Sequence, residues 1–386
     1  MRYPTVLFRG LASSACLSVC LVALPLQAAT CPAPGEWHQP GGERLDSAAL
    51  FAELAERDVV MLGEQHDRMD HHRWQLHTLA GLHAYRPEMV IGLEMLPREA
   101  QPALDAWVAG ELDEADFLDA SNWRRAWGFD PALYLPILHF ARLNQVPLKA
   151  INVTPELRGR LAGEGWAAVP EAERFGISAP AEALPDYRER LAAVHAQHPT
   201  SGDEESLERF IAAQLVWDRA MAVGLAEAAS EGALTVGLIG QGHLQYEHGV
   251  PHQLDDLGVE AHATLLPWAV GAEACEPPPA GLAQAVFALA ETSQPLQAPM
   301  QLGIYLMPDA QGVAVHGVLP GSVAEQAGLE EGDIILRAAG EALTRPADLT
   351  QLVQRQHPGT LLPLEIRRGD EQREVLARFP PRDGGD

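Results

Sequence analysis

Lysine is almost missing from this chain: Lys149 is the only one among 27 basic residues, which face 53 acidic ones and leave a formal charge of −26. A surface that acidic repels nucleic acid and anionic membrane, and nucleic acid is excluded as a partner. Cationic or metal partners stay open. Cysteine is scarce as well, with four in 386 residues. Aromatic residues make up only 6%, yet the hydrophobic fraction of 47% suits globular cores and not a disordered tail. Beyond the first thirty residues no apolar run is long enough to span a bilayer. The length suits two ordinary domains.

The N-terminus does hold an apolar run. Arg2 and Arg9 form a basic start, Leu11 to Leu24 is apolar with small residues, and Pro25-Leu26-Gln27-Ala28 offers a small residue for cleavage. Residues 1–29 are therefore expected to be a signal peptide cut after Ala28 or Ala29, the run being short for a membrane anchor. The destination expected is the periplasm or the outer-membrane side of a cell envelope. Cys16 and Cys20 would leave with the signal. Cys31 and Cys275 remain, one at each edge of the first domain, and in an oxidising compartment they are expected to form a disulfide. The competing reading is a lipidated Cys31, for which Thr30 is a poor preceding residue.

From 45 to 268 the sequence alternates strand-like and amphipathic stretches, the pattern of a mostly parallel sheet flanked by helices. The runs Val59–Leu62, Met89–Leu93, Val146–Ile151, Thr235–Ile239 and Ala261–Leu266 are nearly all apolar, as strands buried on both faces are. Between Thr154 and Phe210 prolines and charge clusters replace this texture, which predicts a helical insertion. Residues 269–297, with Glu276-Pro277-Pro278-Pro279, read as a stiff linker carrying a short apolar helix at Leu282–Leu289.

Residues 298–381 form a second module. Gln301 to Tyr305, Gly312 to Val315, Gly321-Ser322-Val323-Ala324 and Ala327-Gly328-Leu329-Glu330-Glu331-Gly332-Asp333-Ile334-Ile335 follow one another, then a helix near Pro346 to Arg355. These motifs closely resemble the PDZ family. The resemblance implies a small β-barrel-like domain whose Leu302-Gly303-Ile304 loop captures the C-terminal carboxylate of a protein, the peptide adding a strand to the sheet edge. It also implies that Leu349 and Val353 line the apolar pocket from the helix.

Polar groups cluster where the expected strands of the first domain end: Gly63-Glu64-Gln65-His66, Glu94, Asn152, and Gly240-Gln241-Gly242-His243. In open α/β sheets ligands bind outside the carboxyl ends of the strands. Two imidazoles, His66 and His243, with two carboxylates, Glu64 and Glu94, match the donors of a divalent metal site and equally a general acid–base set.

Those motifs, together with Trp123 to Tyr134, Gln214, Trp217-Asp218, Met221-Ala222 and Gly249-Val250-Pro251, resemble the ChaN family over roughly residues 45–268. The family groups haem-binding, iron-regulated uptake proteins of bacterial envelopes with the Tiki metalloproteases and erythromycin esterases. The Tiki side of the resemblance implies that Glu64, Glu94, His66 and His243 hold a metal and activate water. The ChaN side implies haem with a tyrosine ligand, for which Tyr134 is the first candidate and Tyr246 the second. Arg124 and Arg125 would face haem propionates or a substrate carboxylate, and Asp218 would orient a pocket group. His71, His72 and His77 read as helix-surface residues. The resemblance also allows a haem held in a homodimer. The function expected is exported haem or iron binding with a PDZ module for a protein C-terminus, and the alternative is a metal-dependent envelope hydrolase.

Overall fold

Eight strands assemble around the five apolar runs. In this computed structural model, which describes residues 1, 31–197, 204–271, 276–290, 300–354 and 356–381, they are β1 (Trp37–His38), β2 (Arg44–Leu45), β3 (Val59–Glu64), β4 (Met89–Pro97), β5 (Leu148–Asn152), β6 (Leu234–Gly240), β7 (His262–Val270) and β8 (Ala285–Ala290). Their order across the sheet is β2-β1-β8-β7-β3-β6-β4-β5. From β5 to β8 every pairing is parallel; only the two pairings of β1, with β8 and β2, are antiparallel. The sheet is covered on both faces. Val60 and Leu62 point into one core with Ile91, Leu93, Leu238 and Trp107, while their neighbours Val59 and Met61 point into another with Met221, Leu225 and Leu254. A strand whose successive side chains both enter cores must be apolar throughout, which is why β3 and β6 are buried at every position.

The expected helix at Leu282–Leu289 is instead strand β8. It pairs in parallel with β7, Leu265 opposite Ala285 to Val270 opposite Ala290, and antiparallel with β1. An apolar run of that length fits a buried strand or a buried helix equally by periodicity. The contact that decides is remote in sequence: Trp37 is 1% exposed, and its ring meets Phe287 at 4.9 Å, edge to face. Among the described residues of the stretch 154–210, the expected helical insertion is carried by helices Pro155–Gly163 and Pro185–His195 and the start of the long helix Glu204–Ala229.

The chain divides into two compact units, 1–291 and 292–386. The second carries β9 (Ile304–Asp309), β10 (Gly312–Val318), β11 (Ile334–Ala338), β12 (Glu341–Ala342), β13 (Leu361–Arg368) and β14 (Glu371–Arg378), ordered β14-β13-β11-β10-β9 with β12 on β11. Helix Pro346–Gln354 turns Leu349 and Val353 into its core beside Leu302, Val313 and Ile335. This is the small antiparallel module that the PDZ resemblance implied. The expected signal peptide, with Cys16 and Cys20, lies outside the described residues, as does Cys275. No helix among the described residues is long and apolar enough to cross a membrane.

Candidate functional sites

Strand order brings the polar clusters of the first unit together. The chain enters at β3, crosses to β4 and β5, and returns to lay β6 between β3 and β4. Glu64 is in register with Gly240, and Leu93, just before Glu94, with Leu238. Three neighbouring strands thus deliver Glu64, Glu94 and the turn carrying His243 to one edge. Asn152, at the end of β5, ties that edge down: its Nδ2 donates to the Glu94 carbonyl at 2.7 Å, and its Oδ1 accepts from the Val153 amide at 2.8 Å.

Glu64 and Glu94 are 1% and 0% exposed. Glu64 Oε1 accepts from the Tyr134 hydroxyl at 3.2 Å and lies 2.7 Å from His66 Nδ1. Glu94 Oε2 accepts from the Gly240 amide at 2.5 Å. That approach needs glycine, because a β-carbon on Gly240 would stand 2.8 Å from His66 Cε1. On the far side, His243 Nδ1 lies 2.5 Å from Asp218 Oδ1, and the Tyr187 hydroxyl donates to Asp218 Oδ2 at 2.7 Å. Asp218 is fully buried, so it fixes the His243 ring with its proton on Nδ1 and turns Nε2 toward Glu94 Oε1, 3.8 Å away. Glu64 does the same for His66, whose Nε2 is left toward the Gly240 turn.

Two carboxylate oxygens in this cluster, Glu64 Oε2 and Glu94 Oε1, are buried without a hydrogen-bond partner. Burial raises the Glu94 carboxyl above its ordinary range, although His243, His66 and the Gly240 amide pull the other way. Burial opposes charge on His66 and His243, but their carboxylate neighbours outweigh it and both end raised: Glu64 by hydrogen bond with Glu94 in support for His66, Asp218 with Glu94 for His243. The donor types suit a divalent cation or a proton relay. Among the described residues no three His, Cys, Asp or Glu side chains converge closely enough to hold a metal as they stand.

Tyr134 takes a different place from the one expected of an iron ligand. It is 2% exposed, bonded to Glu64 and packed 4.3 Å from the His72 ring. Burial, reinforced by the Glu64 charge, pushes its phenol far above the ordinary value, so it stands as a neutral hydroxyl donating to Glu64. Of the two candidate tyrosines Tyr246 is the accessible one, 36% exposed. It sits with Glu247 in left-handed backbone, both at φ 60°, conformations costing about 1–2 kcal/mol per residue outside glycine. The Arg190 guanidinium lies 5.6 Å from its ring and His248 5.8 Å. Arg124 is exposed, and Arg125 bonds Glu156 at 3.2 Å.

Two expectations of surface histidines fail. His72 is 0% and His71 5% exposed, on the face of helix Met69–Tyr85 that also buries Trp74, Gln75, Thr78 and Leu79; His77 is exposed as expected. Their spacing with those residues was the available signal. Both ring nitrogens of His72 meet acceptors, Gln75 Oε1 at 3.0 Å and the His66 carbonyl at 3.1 Å. Sequence reasoning also missed Tyr187, which the helical insertion carries to Asp218, and the wall of Trp127 and Phe129, whose rings lie 4.5 and 5.1 Å from that of His66. Cys31 is disulfide-bonded, and a sulfur so engaged is not free for a lipid.

In the second unit Leu302, Gly303, Ile304, Leu349 and Val353 all line one groove of about 280 Å³. Gly303 has φ 77°, and a β-carbon there would stand 2.4 Å from that of Ser322. Among the described residues strand β9 pairs only with β10, and its other edge can accept a further strand.

The family described as "Haem-binding uptake, Tiki superfamily, ChaN" matches residues 50–254, and the PDZ family matches residues 315–368. A structure titled "Cofacial heme binding to ChaN of Campylobacter jejuni" superposes with a TM-score of 0.51 at 16% identity, covering 65% of this chain and 95% of that one, which shows a shared fold. The serine protease HTRA1 of Xenopus tropicalis is 40% identical over 63 residues, 16% of this chain and 13% of its own length. The putative serine protease HhoA of Synechocystis is 34% identical over 68 residues, 18% of this chain and 17% of its own. The chain therefore spans less than a fifth of these curated relatives.

Proposed function

The chain belongs to the ChaN haem-binding uptake family of the Tiki superfamily, and from that premise we propose that it is an exported haem- or iron-binding protein of the cell envelope whose PDZ domain takes a protein C-terminus. The observation that carries the haem reading is Tyr246. A phenol on strained left-handed backbone is held out of the core, with Arg190 beside it to offset the charge of a ligand carboxylate. Haem would supply a ferric iron that a tyrosinate can ligate. Tyr246 is assigned that role in place of Tyr134, and Arg124 is a second candidate for the propionates.

Titration of residues 30–386 with haem, followed by visible absorption, tests this. A saturable Soret shift that Tyr246→Phe abolishes and Tyr134→Phe keeps is expected. No shift at micromolar haem overturns the reading. Sedimentation of the same samples reports whether haem draws two copies into a homodimer. Mass analysis of the secreted chain reads the expected cleavage after Ala28 or Ala29 and the Cys31–Cys275 bridge. For the PDZ domain, a peptide ending in an apolar residue with a free carboxylate is expected to bind, and its C-terminal amide to fail.

A second reading rests on a separate observation, two partnerless carboxylate oxygens: Glu94 Oε1, 3.8 Å from His243 Nε2, and Glu64 Oε2, 3.8 Å from His72 Nε2. A divalent ion would satisfy both carboxylates after a small closure, and could activate water for hydrolysis with Glu64 or Glu94 as base. Stoichiometric metal after clean purification, lost in His66→Ala, supports it. Protein free of metal and inert toward every peptide and ester tried counts against it.

A further inference from the structure

A second cleft opens at the carboxyl edge of the sheet in the first unit and uses none of the residues assigned above to haem, metal or peptide. It measures about 420 Å³, within the range of roughly 300–1,000 Å³ typical of small-molecule sites. Gln65 follows β3, Gln241 and Gln245 follow β6, Trp268 lies on β7, and Arg68 and His71 come from the start of helix Met69–Tyr85.

His71 is the informative member. It is 95% buried in the sense that only 5% of its surface is exposed, and its Nδ1 accepts the Gln65 amide proton at 3.0 Å. The ring proton therefore sits on Nε2, which faces no acceptor among the described residues. Because His71 lines the cleft, that N–H is presented to whatever occupies it, water or a ligand hydroxyl. Burial also keeps the ring uncharged at neutral pH, with its pKa lowered to about 4.

The surrounding groups define what arrives. The side-chain amides of Gln65, Gln241 and Gln245 have no partner among the described residues, and each offers both a donor and an acceptor. A hydroxyl has the same dual character, whereas a carboxylate or phosphate only accepts. The cleft has no net positive charge to hold an anion: Arg68 is neutralised by Asp70 through bonds of 3.1 and 2.8 Å, and Glu276 also lines it. Trp268, its indole N–H already bound to the Glu276 carbonyl at 3.0 Å, presents aromatic surface beside Leu266.

We propose that this cleft binds a neutral, hydroxyl-rich ligand of the carbohydrate class, with the three glutamine amides and His71 Nε2–H pairing its hydroxyls and Trp268 packing on its C–H face.

The test is saturation-transfer NMR and tryptophan fluorescence on residues 30–386, with glucose, N,N′-diacetylchitobiose and citrate as probes. One of the two sugars is expected to bind saturably in the millimolar range, the other more weakly, and citrate not at all. Glucose preferred over chitobiose assigns a free sugar, and the reverse assigns an amino-sugar glycan. In Gln241→Ala/Gln245→Ala, with its melting curve checked against the parent, affinity should fall at least tenfold. Trp268→Phe should retain part of the binding. Citrate binding without either sugar, silence from all three probes, or sugar binding unchanged in the double variant would each overturn the proposal.

Discussion

The sheet edge of the first unit and the groove of the second are built from opposite materials. At the sheet edge, titratable side chains are buried and held by further side chains: Tyr187 on Asp218, Asp218 on His243, Tyr134 and His66 on Glu64. In the PDZ groove the working parts are backbone and apolar side chains, with Gly303 in the loop before β9 and Leu349 and Val353 in the floor. The first site depends on protonation and on remote support. The second depends on shape, and a short local motif contains nearly all of it.

That contrast can be broken by removing support from each site. Asp218→Ala strands the Tyr187 hydroxyl and leaves the buried His243 ring without its carboxylate. A loss of roughly 3–5 kcal/mol in the first unit is expected by urea unfolding, and Asp218→Asn should recover part of it. Leu349→Ala removes a fully buried side chain from the second unit. It should cost roughly 2–5 kcal/mol there and weaken peptide binding, leaving the haem titration untouched. If Leu349→Ala changed the Soret response, the two regions would not be separable as argued.

Acid titration sharpens the comparison. His71 has a folded pKa of about 4 against an ordinary 6.5, so it contributes stability above pH 6.5 that is lost as pH falls from there toward 4. A shift of that size corresponds to about 3 kcal/mol. Glu94, His66 and His243 are raised instead, so their contribution is complete at acid pH, declines above the ordinary value of each, and is gone once pH passes the raised one. For the two histidines that decline begins above about 6.5. Melting temperature against pH should therefore pass through a maximum in the first unit, and His71→Gln should flatten the acid limb. An acid limb between pH 4 and 6.5 that is the same in His71→Gln as in the parent protein would count against this account. The smallest effect is expected from Tyr187→Phe, which removes one hydrogen bond to a buried carboxylate, roughly 1.5–3 kcal/mol. It should alter the pH profile at the alkaline side, where His243 titrates.

Much of this was legible in the sequence, for reasons that differ by residue. The five central strands announce themselves because burial on both faces admits only apolar side chains. Glu64, His66, Glu94 and His243 stand out because each polar group follows such a run. Strand β8 did not, since an apolar hexapeptide fits a buried helix or strand and only Trp37, about 250 positions earlier, decides between them. Tyr187 was hidden because nothing local in the insertion marks a residue that will reach Asp218. The resemblance ranks Tyr134 ahead of Tyr246, and exposure, a property of the packed chain, could not enter that ranking.

By itself the sequence determined that there are two modules, that the first is a mostly parallel sheet between helices and the second a PDZ domain, and which polar groups end the strands, because periodicity and motif spacing are local properties. Only the tertiary structure decided that β6 inserts between β3 and β4, that His71 and His72 are buried, that Tyr134 serves Glu64 while Tyr246 faces solvent, and that three glutamines and His71 share a cleft. Each of those depends on contacts between segments far apart in the chain, and such contacts form only when the hydrophobic faces of the sheet and its helices close on one another.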